Sequence, residues 1–290
     1  MTRDMWEMIR QARAALSMLS ADEVMRHAER PVTVGLVADG SGAYAEMEAF
    51  LVPEGTPRSE TRLRMSQVFR ANDNEVPANV DLVLYEPGLA CPAEAYTFHR
   101  GSSDVTVSEI LRDKSAIGLA LARQFPSFRA AVIDGIIHEV AKENALFALA
   151  TAVPNIVPNL IELPWMFGEF ASDTVFLTAN QVRMAFQIAA AGGQKAGFAH
   201  QRGQIAAIVG GAFGWRAIAR ELVSHIPLGG GLIPKGAIAY AGTFVVGKGL
   251  AYYNHGSRKP TDDERKHLYR EGLERGKLWA QGLRASGHTG

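Results

Sequence analysis

Cysteine is nearly missing from this chain of 290 residues, which has Cys91 and no other. A single cysteine excludes an internal disulfide and any zinc site built from several cysteines. Cys91 precedes Pro92 in a loop-like stretch without an identifiable base, so we expect no catalytic thiol there. The N-terminus lacks the apolar core of a signal peptide, and we expect a reducing, cytoplasmic setting.

Net charge is also lacking, because 30 Lys and Arg balance 30 Asp and Glu. A neutral chain gives no electrostatic reason to expect nucleic acid as a partner. The charge is uneven, however: residues 201–290 hold 13 Lys and Arg against 6 Asp and Glu, a surplus of seven. A basic segment beside apolar helices is typical of a face near anionic lipid. A solvated basic helix surface is the alternative.

Formal charge disappears between residues 222 and 247 apart from Lys235. The same stretch contains Pro227, Pro234 and the triplet Gly229-Gly230-Gly231, which interrupt helical hydrogen bonding. Lipid offers no water to satisfy the backbone groups freed in this way. The pattern therefore predicts two closely packed helices joined by a glycine loop, and we find no clean run of the roughly 20 apolar residues that a spanning helix needs.

Apolar periodicity divides the chain into three parts. Residues 1–30 are predicted to form an N-terminal amphipathic helix, residues 31–125 a small α/β domain, and residues 126–290 an all-α domain. The last part contains the glycine-rich hairpin and ends in an amphipathic helix that starts with a capping box at Thr261–Glu264. The expected fold is mixed and dominated by helix.

Within the α/β part, two segments are predicted to be buried strands, Val32–Val37 and Val80–Tyr85. Tyr96–His99 and Val105–Val107 are weaker strand candidates. Residues 53–79 are polar and contain proline, and no element is predicted there.

The first strand leads into a glycine turn and a helix, which is the layout of a phosphate-binding loop. Gly35 and Gly40 have the spacing of the GxxxxGK motif. Ser41, however, stands in place of the lysine that neutralises phosphate, and Gly42 in place of the hydroxyl that binds magnesium. Asp39 adds negative charge where phosphates would lie. We predict a vestigial loop without nucleotide chemistry.

The second strand ends without the DxxG motif that serves the metal and the γ-phosphate. Its end reads Tyr85-Glu86-Pro87-Gly88, with Tyr85 in the place of the aspartate and Glu86 displaced by one residue. No NKxD-type guanine-reading motif follows. We therefore regard Tyr85, Glu86 and Gly88 as a vestigial switch turn, and we expect no cofactor and no metal. An ordinary α/β domain whose glycines serve a tight turn is the alternative.

Small residues recur four apart in two predicted helices: Gly210 and Gly214 in one, and Ala239, Thr243 and Gly247 in the other. Residues four apart share a helix face, and a smooth face lets another helix approach closely, in water or in lipid. We expect these residues at helix contacts, either within the fold or against a partner.

Polar residues are concentrated on one long predicted helix, where Asp173, Asn180, Gln181 and Arg183 occur. Asp173 and Asn180 lie two turns apart and so share a face. We expect a buried structural network that bonds to neighbouring helix ends, and a ligand site is the alternative. The histidines lack metal-ligand spacing such as HxxxH.

Several stretches of the second half are distinctive together. They are residues 143–149 with Pro154-Asn155, residues 171–173 with 177–181, residues 188–190, and Ile226-Pro227 with residues 233–235. The combination, over about residues 125–255, resembles the uncharacterised helical domain that follows Era-like GTPase domains in many bacteria. The resemblance implies membrane association in some relatives, no established catalysis, and a degenerate GTPase-like domain in front.

These observations predict a non-catalytic scaffold or adaptor, located in the cytoplasm and peripherally at the inner membrane. Its expected partners are a second copy or a helical protein and an anionic membrane surface. One alternative is a nucleotide-binding switch that holds phosphate by the backbone amides of residues 40–42. The other is a soluble homo-oligomeric structural protein.

Overall fold

The computed structural model describes residues 19–71, 77, 79–152, 173–209, 232–256, 258 and 260–286. The chain forms two compact units. The first, which we call the sheet unit, comprises Glu23–Asp134 with Ala189–Lys195, and the second, the helical unit, comprises Met1–Asp22, Gly135–Ile188 and Ala196–Gly290. The segments of the two units alternate along the chain.

The sheet unit is built around four short strands. They are β1 (Val34–Val37), β2 (Val68–Arg70), β3 (Leu82–Tyr85) and β4 (Tyr96–Thr97). The helices of this part of the chain are α1 (Ala21–Glu29), α2 (Ser41–Leu51), α3 (Arg58–Met65), α4 (Ser103–Asp113) and α5 (Gly118–Gln124). Single 3-10 turns lie at Ser115–Ile117 and Pro126–Phe128.

The strands are all parallel and lie in the order β2-β1-β3-β4. Val34 and Leu36 of β1 and Leu84 of β3 are fully buried, as expected for apolar strands covered by helices. Asp81, which directly precedes β3, is hydrogen-bonded to Thr33, which directly precedes β1, and so helps to align the two strands. Its carboxylate accepts hydrogen bonds from the Thr33 backbone (2.8 Å) and from Arg30 (2.7 Å). Burial opposes ionisation of Asp81, but these bonds outweigh it and lower the pKa of the carboxyl.

The helical unit is built from long helices. They are α6 (Arg129–Ala152), α7 (Asp173–Ala191), α8 (Leu232–Gly256) and α9 (Asp262–Ser286), and residues 202–209 are also helical. The apolar residues Ile133, Ile137, Val140 and Phe147 of α6 are buried, and Ile136 is partly buried. α7 ends at Ala191, and Gly193 just beyond it adopts a φ of 84°, a conformation that favours glycine.

The capping box at the start of α9 is confirmed. The Thr261 N–H donates to Glu264 Oε2 at 2.8 Å, and the Glu264 N–H donates to Thr261 Oγ1 at 3.3 Å. Glu264 also accepts two bonds from Arg258 at 2.9 Å each. The hydrogen bonds from Arg258, followed by that from the Thr261 backbone, lower the pKa of Glu264 to about 2.

Three expectations about local structure were wrong. Val105–Val107 is not a strand but part of α4, because Val107 and Ile110 are buried one helical turn apart with Thr106 beside them. Residues 53–79 contain α3 and β2. Helix also begins to dominate before the predicted start of the all-α part at residue 126, from Ser103 onward.

The coarse prediction of a mixed, helix-dominated fold with a small α/β part is confirmed. Two other predictions fall outside the described residues: the N-terminal helix over residues 1–18, and the glycine loop at residues 229–231. In the described part of the chain, no helix has both the length and the hydropathy required to cross a bilayer.

Candidate functional site

The carboxyl ends of β1 and β3 form the place in the sheet unit where a ligand would be expected. β1 has β2 on one side and β3 on the other. The connection from β1 to β2 and the connection from β2 to β3 therefore run in opposite directions across the sheet. In open parallel sheets, ligands bind in the crevice that such a reversal creates. Here the crevice is bordered by the turn after Val37 and by Glu86, which directly follows β3.

The turn after β1 is short. Gly35 lies inside β1, opposite Phe69 and Val83, and α2 already begins at Ser41. Only residues 38–40 connect the two elements, so the GxxxxG spacing noted in the sequence starts within the strand. In a Walker A loop all the residues between the two glycines belong to the phosphate-binding loop, whereas here residues 36 and 37 are part of the strand.

An acidic side chain of the protein itself occupies this turn. Glu86 Oε2 accepts a hydrogen bond from the Asp39 backbone N–H at 3.0 Å. Arg100 pairs with the other Glu86 oxygen at 3.4 Å and with Glu46 of α2 at 2.6 Å. We call Glu46, Glu86 and Arg100 the carboxyl-edge cluster. In this cluster, the Glu86 carboxylate is held by the Arg100 guanidinium and accepts the Asp39 N–H, which could otherwise bind an anion.

The other residues of the predicted loop and switch turn lie in more open positions. Gly40 is extended and caps α2 without a side-chain hydrogen bond. Side chains built at Gly40, Gly42 or Gly88 would meet nothing within 4 Å, and Gly88 has a φ of 97°. Tyr85 ends β3 opposite Val37. The space beside Gly40 and Gly42 is therefore not filled by neighbouring atoms.

A cleft of about 520 Å³ opens beside the carboxyl-edge cluster. Its lining residues are Glu46, Ala49, Phe50, Phe98, Arg100, Gly101 and Ser103. The rings of Phe50 and Phe98 are 5.4 Å apart, and they provide an apolar surface. Glu46 and Arg100 also line the cleft and form an ion pair with each other, so the charges of the cleft are largely balanced.

Two of the four predicted polar residues of the helical unit join one network. Asn180 Nδ2 donates to Asn144 Oδ1 (2.9 Å), and Asn144 Nδ2 donates to Thr243 Oγ1 (2.8 Å). Asn180 also contacts Glu143, which pairs with Arg183. Asn144, Asn180 and Thr243 are fully buried or nearly so. We call Glu143, Asn144, Asn180, Arg183 and Thr243 the helical-core network.

The remaining two predicted residues are not seen in this network. Gln181 is partly exposed, as expected from its position beside Asn180 on the helix. Asp173 begins α7, and its side chain lies outside the described residues. Sequence reasoning missed Glu143 and Asn144 as members, although their adjacency in an apolar helix was a usable signal.

Glu143 is the titratable group of the helical-core network. Burial raises the pKa of its carboxyl, and nearby Glu139 raises it further, while the positive charge of Arg183 opposes both. Asn180 Oδ1, by contrast, has no hydrogen-bond partner among the described residues. The arrangement is that of a structural polar core, because its groups mainly satisfy one another.

Gly247, one of the small residues of α8 singled out by their spacing, lies at a close helix contact. A side chain at Gly247 would come within 2.7 Å of Ile137 on α6 and 3.1 Å of Met184 on α7. Thr243 belongs to the helical-core network, and Ala239 is partly exposed. Gly210 and Gly214 lie outside the described residues.

The closest approach between α8 and α9 was not anticipated. Side chains built at Gly272 and Gly276 of α9 would come within 3.0 Å of the α carbons of Ala241 and Ala237, respectively. Both pairs are spaced by four residues, so two smooth faces meet. The charged residues around Gly272 and Gly276 concealed this pattern in the sequence.

No metal centre is evident in the described residues, where no three His, Cys, Asp or Glu side chains are grouped suitably. Comparisons with protein-family models, with curated proteins and with solved structures find no match for this chain.

Proposed function

We propose that this protein is a non-catalytic scaffold or adaptor whose sheet unit is a degenerate GTPase-like domain and whose helical unit provides contacts to partners. The observation that carries the proposal is the Glu86 carboxylate bonded to the Asp39 amide and fixed by Arg100. A triphosphate at this turn would be repelled by Glu86, and it would find no lysine at position 41.

The resemblance to the helical domain behind Era-like GTPases supports the same proposal from the sequence. Their nucleotide chemistry does not transfer, because this chain departs from the GTPase pattern at residues 40–42 and at Tyr85. The short turn between β1 and α2 adds a geometric reason. A scaffold role requires only that the two units present stable surfaces.

Calorimetric titration of the full-length chain with Mg-GTP and Mg-ATP tests the proposal. We expect no micromolar binding by the wild type. The Glu86→Gln variant should also fail to bind, because removing the repulsion does not restore the missing lysine. A P-loop GTPase titrated in parallel serves as the positive control for ligand and instrument.

Clear micromolar affinity in the wild type would overturn the proposal and favour the nucleotide-binding switch. The open space beside Gly40 and Gly42 is the observation on which that alternative depends. In that case, Gly40→Val should abolish binding, since a branched side chain would enter the space that the phosphates need.

A membrane-facing role and self-association are the partner contacts that we propose. The surplus of basic residues in 201–290 supports the first. The second draws less support from α8, because Thr243 and Gly247 are engaged within the helical unit. Sedimentation of the chain over a hundredfold concentration range distinguishes a monomer from a homo-oligomer.

A further inference from the structure

One arginine of the sheet unit is partly buried without a carboxylate partner. Arg129 is the first residue of α6, and its Nε donates a hydrogen bond to the Ala122 carbonyl at 3.1 Å. Within the described part of the chain, its two terminal nitrogens bond to no other group. A guanidinium can only donate and does not lose its proton in proteins. Arg129 therefore keeps both a positive charge and unused donors.

Two further arginines of the sheet unit lie near Arg129. We call the three residues the Arg129 cluster: Arg64, Arg123 and Arg129. Arg123 Nη1 donates to the Gln194 carbonyl at 2.8 Å and to the Ala190 carbonyl at 3.1 Å, where α7 ends. A side chain built at Gly193 would come within 3.5 Å of Arg129 Nη2. Two guanidinium groups thus converge on the turn after α7.

The carboxylates near the cluster already pair with its other members. Glu60 lies 2.6 Å from Arg64, and Glu29 lies 3.4 Å from Arg123. Three arginines therefore meet two glutamates, and the charge of Arg129 is left over. Burial lowers the pKa of Arg129, and Arg64 lowers it further, while Glu60 opposes both. Since arginine does not escape this cost by losing a proton, an added anion would offset it.

We propose that the Arg129 cluster binds a phosphate group, with the terminal nitrogens of Arg129 as the principal donors. A guanidinium presents parallel N–H groups that match two oxygens of a phosphate. A phosphate group has three acceptor oxygens, so it can also reach a second arginine, for which a carboxylate is less suited. This site goes beyond the proposed function, because none of its residues belongs to the turn after β1 or to the carboxyl-edge cluster.

The cluster is accessible from solvent. Gly193, Gln194 and Lys195 of the turn after α7 are all exposed. The missing side chain of Gly193 leaves room beside Arg129 Nη2. A ligand can therefore reach the unused donors without any rearrangement of the helices.

Equilibrium dialysis of the full-length chain against radiolabelled inorganic phosphate, at constant ionic strength, tests the proposal. The wild type should bind one phosphate per chain with a Kd of about 1 mM, which is within reach of so small a ligand. Arg129→Gln should weaken binding about tenfold, and Arg129→Lys severalfold, because an ammonium group keeps the charge but not the paired donors. Arg112→Gln should bind like the wild type, since Arg112 is exposed and pairs with its neighbour Asp113.

Glu60→Gln distinguishes a binding role from a purely structural one. This variant removes the carboxylate that competes for Arg64, so its affinity for phosphate should rise severalfold, a gain that misfolding does not produce. Glu48→Gln removes a carboxylate paired with Arg70 in the same unit and should change nothing. Absence of saturable phosphate binding in the wild type, unchanged affinity in Arg129→Gln, or no gain in Glu60→Gln would each overturn the proposal.

The phosphate group can belong to a soluble molecule or to a lipid headgroup, and flotation with phosphatidic acid vesicles distinguishes the two sources. Flotation that is lost in Arg129→Gln but kept in Arg112→Gln assigns a lipid headgroup to the site. Equal flotation of the two variants, with dialysis still dependent on Arg129, assigns a soluble phosphate.

Discussion

At the scale of single residues, one carboxylate in each unit makes a notable tertiary contact. Glu86 bonds a backbone amide at the end of β1, and Glu143 pairs with Arg183 inside the helical unit. Neither acid was assigned a hydrogen-bonding partner from the sequence. Their partners come from distant parts of the chain, so only folding revealed what each one does.

Replacement of Glu86 by alanine should lower the free energy of unfolding more than replacement of a comparable acid, Glu48. Glu48 also belongs to the sheet unit, pairs with Arg70 at 2.8 Å, and has the same side-chain exposure of 21%. Glu86→Ala removes the hydrogen bond to the exposed Asp39 amide, where water can replace the carboxylate, and also the contact with Arg100, and it should cost about 0.5–1.5 kcal/mol. Glu48→Ala should cost under about 1 kcal/mol, as is usual for surface ion pairs. Urea denaturation measures both, and equal losses would contradict the role assigned to Glu86.

Replacement of Glu143 by glutamine should become more favourable as pH rises. Burial raises the pKa of Glu143, so the folded state holds the proton more tightly than the unfolded state. Stability of the wild type therefore falls as pH rises from the unfolded pKa, near 4.5, through the higher folded value. Glu143→Gln resembles the protonated acid and lacks this fall.

Urea denaturation of the wild type and Glu143→Gln between pH 4 and 8 measures this difference. The two should match at the acid end, and the variant should gain relative stability toward pH 8. If the wild type instead becomes more stable than Glu143→Gln as pH rises, attraction to Arg183 outweighs the cost of burying the Glu143 charge. Arg183→Gln is then the control, because removing the guanidinium should abolish this rise in wild-type stability.

At the scale of elements, glycine positions determine how closely helices approach. Gly247 lies where α8 meets α6 and α7, whereas Gly242 of the same helix has open space beside it. The sequence identified Gly247 by its spacing but treated Gly242 as unremarkable. The spacing of residues shows which of them share a helix face, but only the tertiary structure shows which helix packs against that face.

Alanine at these two glycines should have opposite effects on stability. Gly247→Ala places a methyl group 2.7 Å from Ile137 Cγ1, and overpacking of this kind costs about 1–3 kcal/mol. Gly242→Ala meets nothing within 4 Å and should stabilise by up to about 1 kcal/mol through helix propensity. Thermal unfolding of the two variants checks the sign of each change. Stabilisation by Gly247→Ala would show that Ile137 and Met184 yield without cost.

At the scale of the whole molecule, the basic surplus of residues 201–290 is not carried by α9. That helix holds 6 Lys and Arg against 5 Asp and Glu, so six of the seven surplus charges lie elsewhere. Four cations of α9 also pair with acids of the same helix. The pairs are Arg265–Asp262, Lys266–Asp263, Arg275–Glu271 and Lys277–Glu274. An anionic surface would therefore attract other basic residues more strongly.

Flotation with phosphatidylglycerol vesicles tests the membrane contact. The chain should float with these vesicles at low salt, remain behind in 0.5 M salt, and ignore phosphatidylcholine vesicles, because the attraction is electrostatic. Arg216→Gln combined with Arg220→Gln should weaken flotation more than Arg265→Gln combined with Lys266→Gln. Equal flotation on both lipids, or none at low salt, would contradict the contact.

The sequence by itself determined the features that local patterns encode: a mixed, helix-dominated fold, the strands β1 and β3, and the capping box of α9. These depend on neighbours within a few residues, and local spacing encodes them. Only the tertiary structure decided that α4 is a helix, that Glu86 occupies the turn at Asp39, and that Gly272 and Gly276 form a helix contact. Each depends on atoms from distant segments, and a linear pattern carries no record of which segments meet.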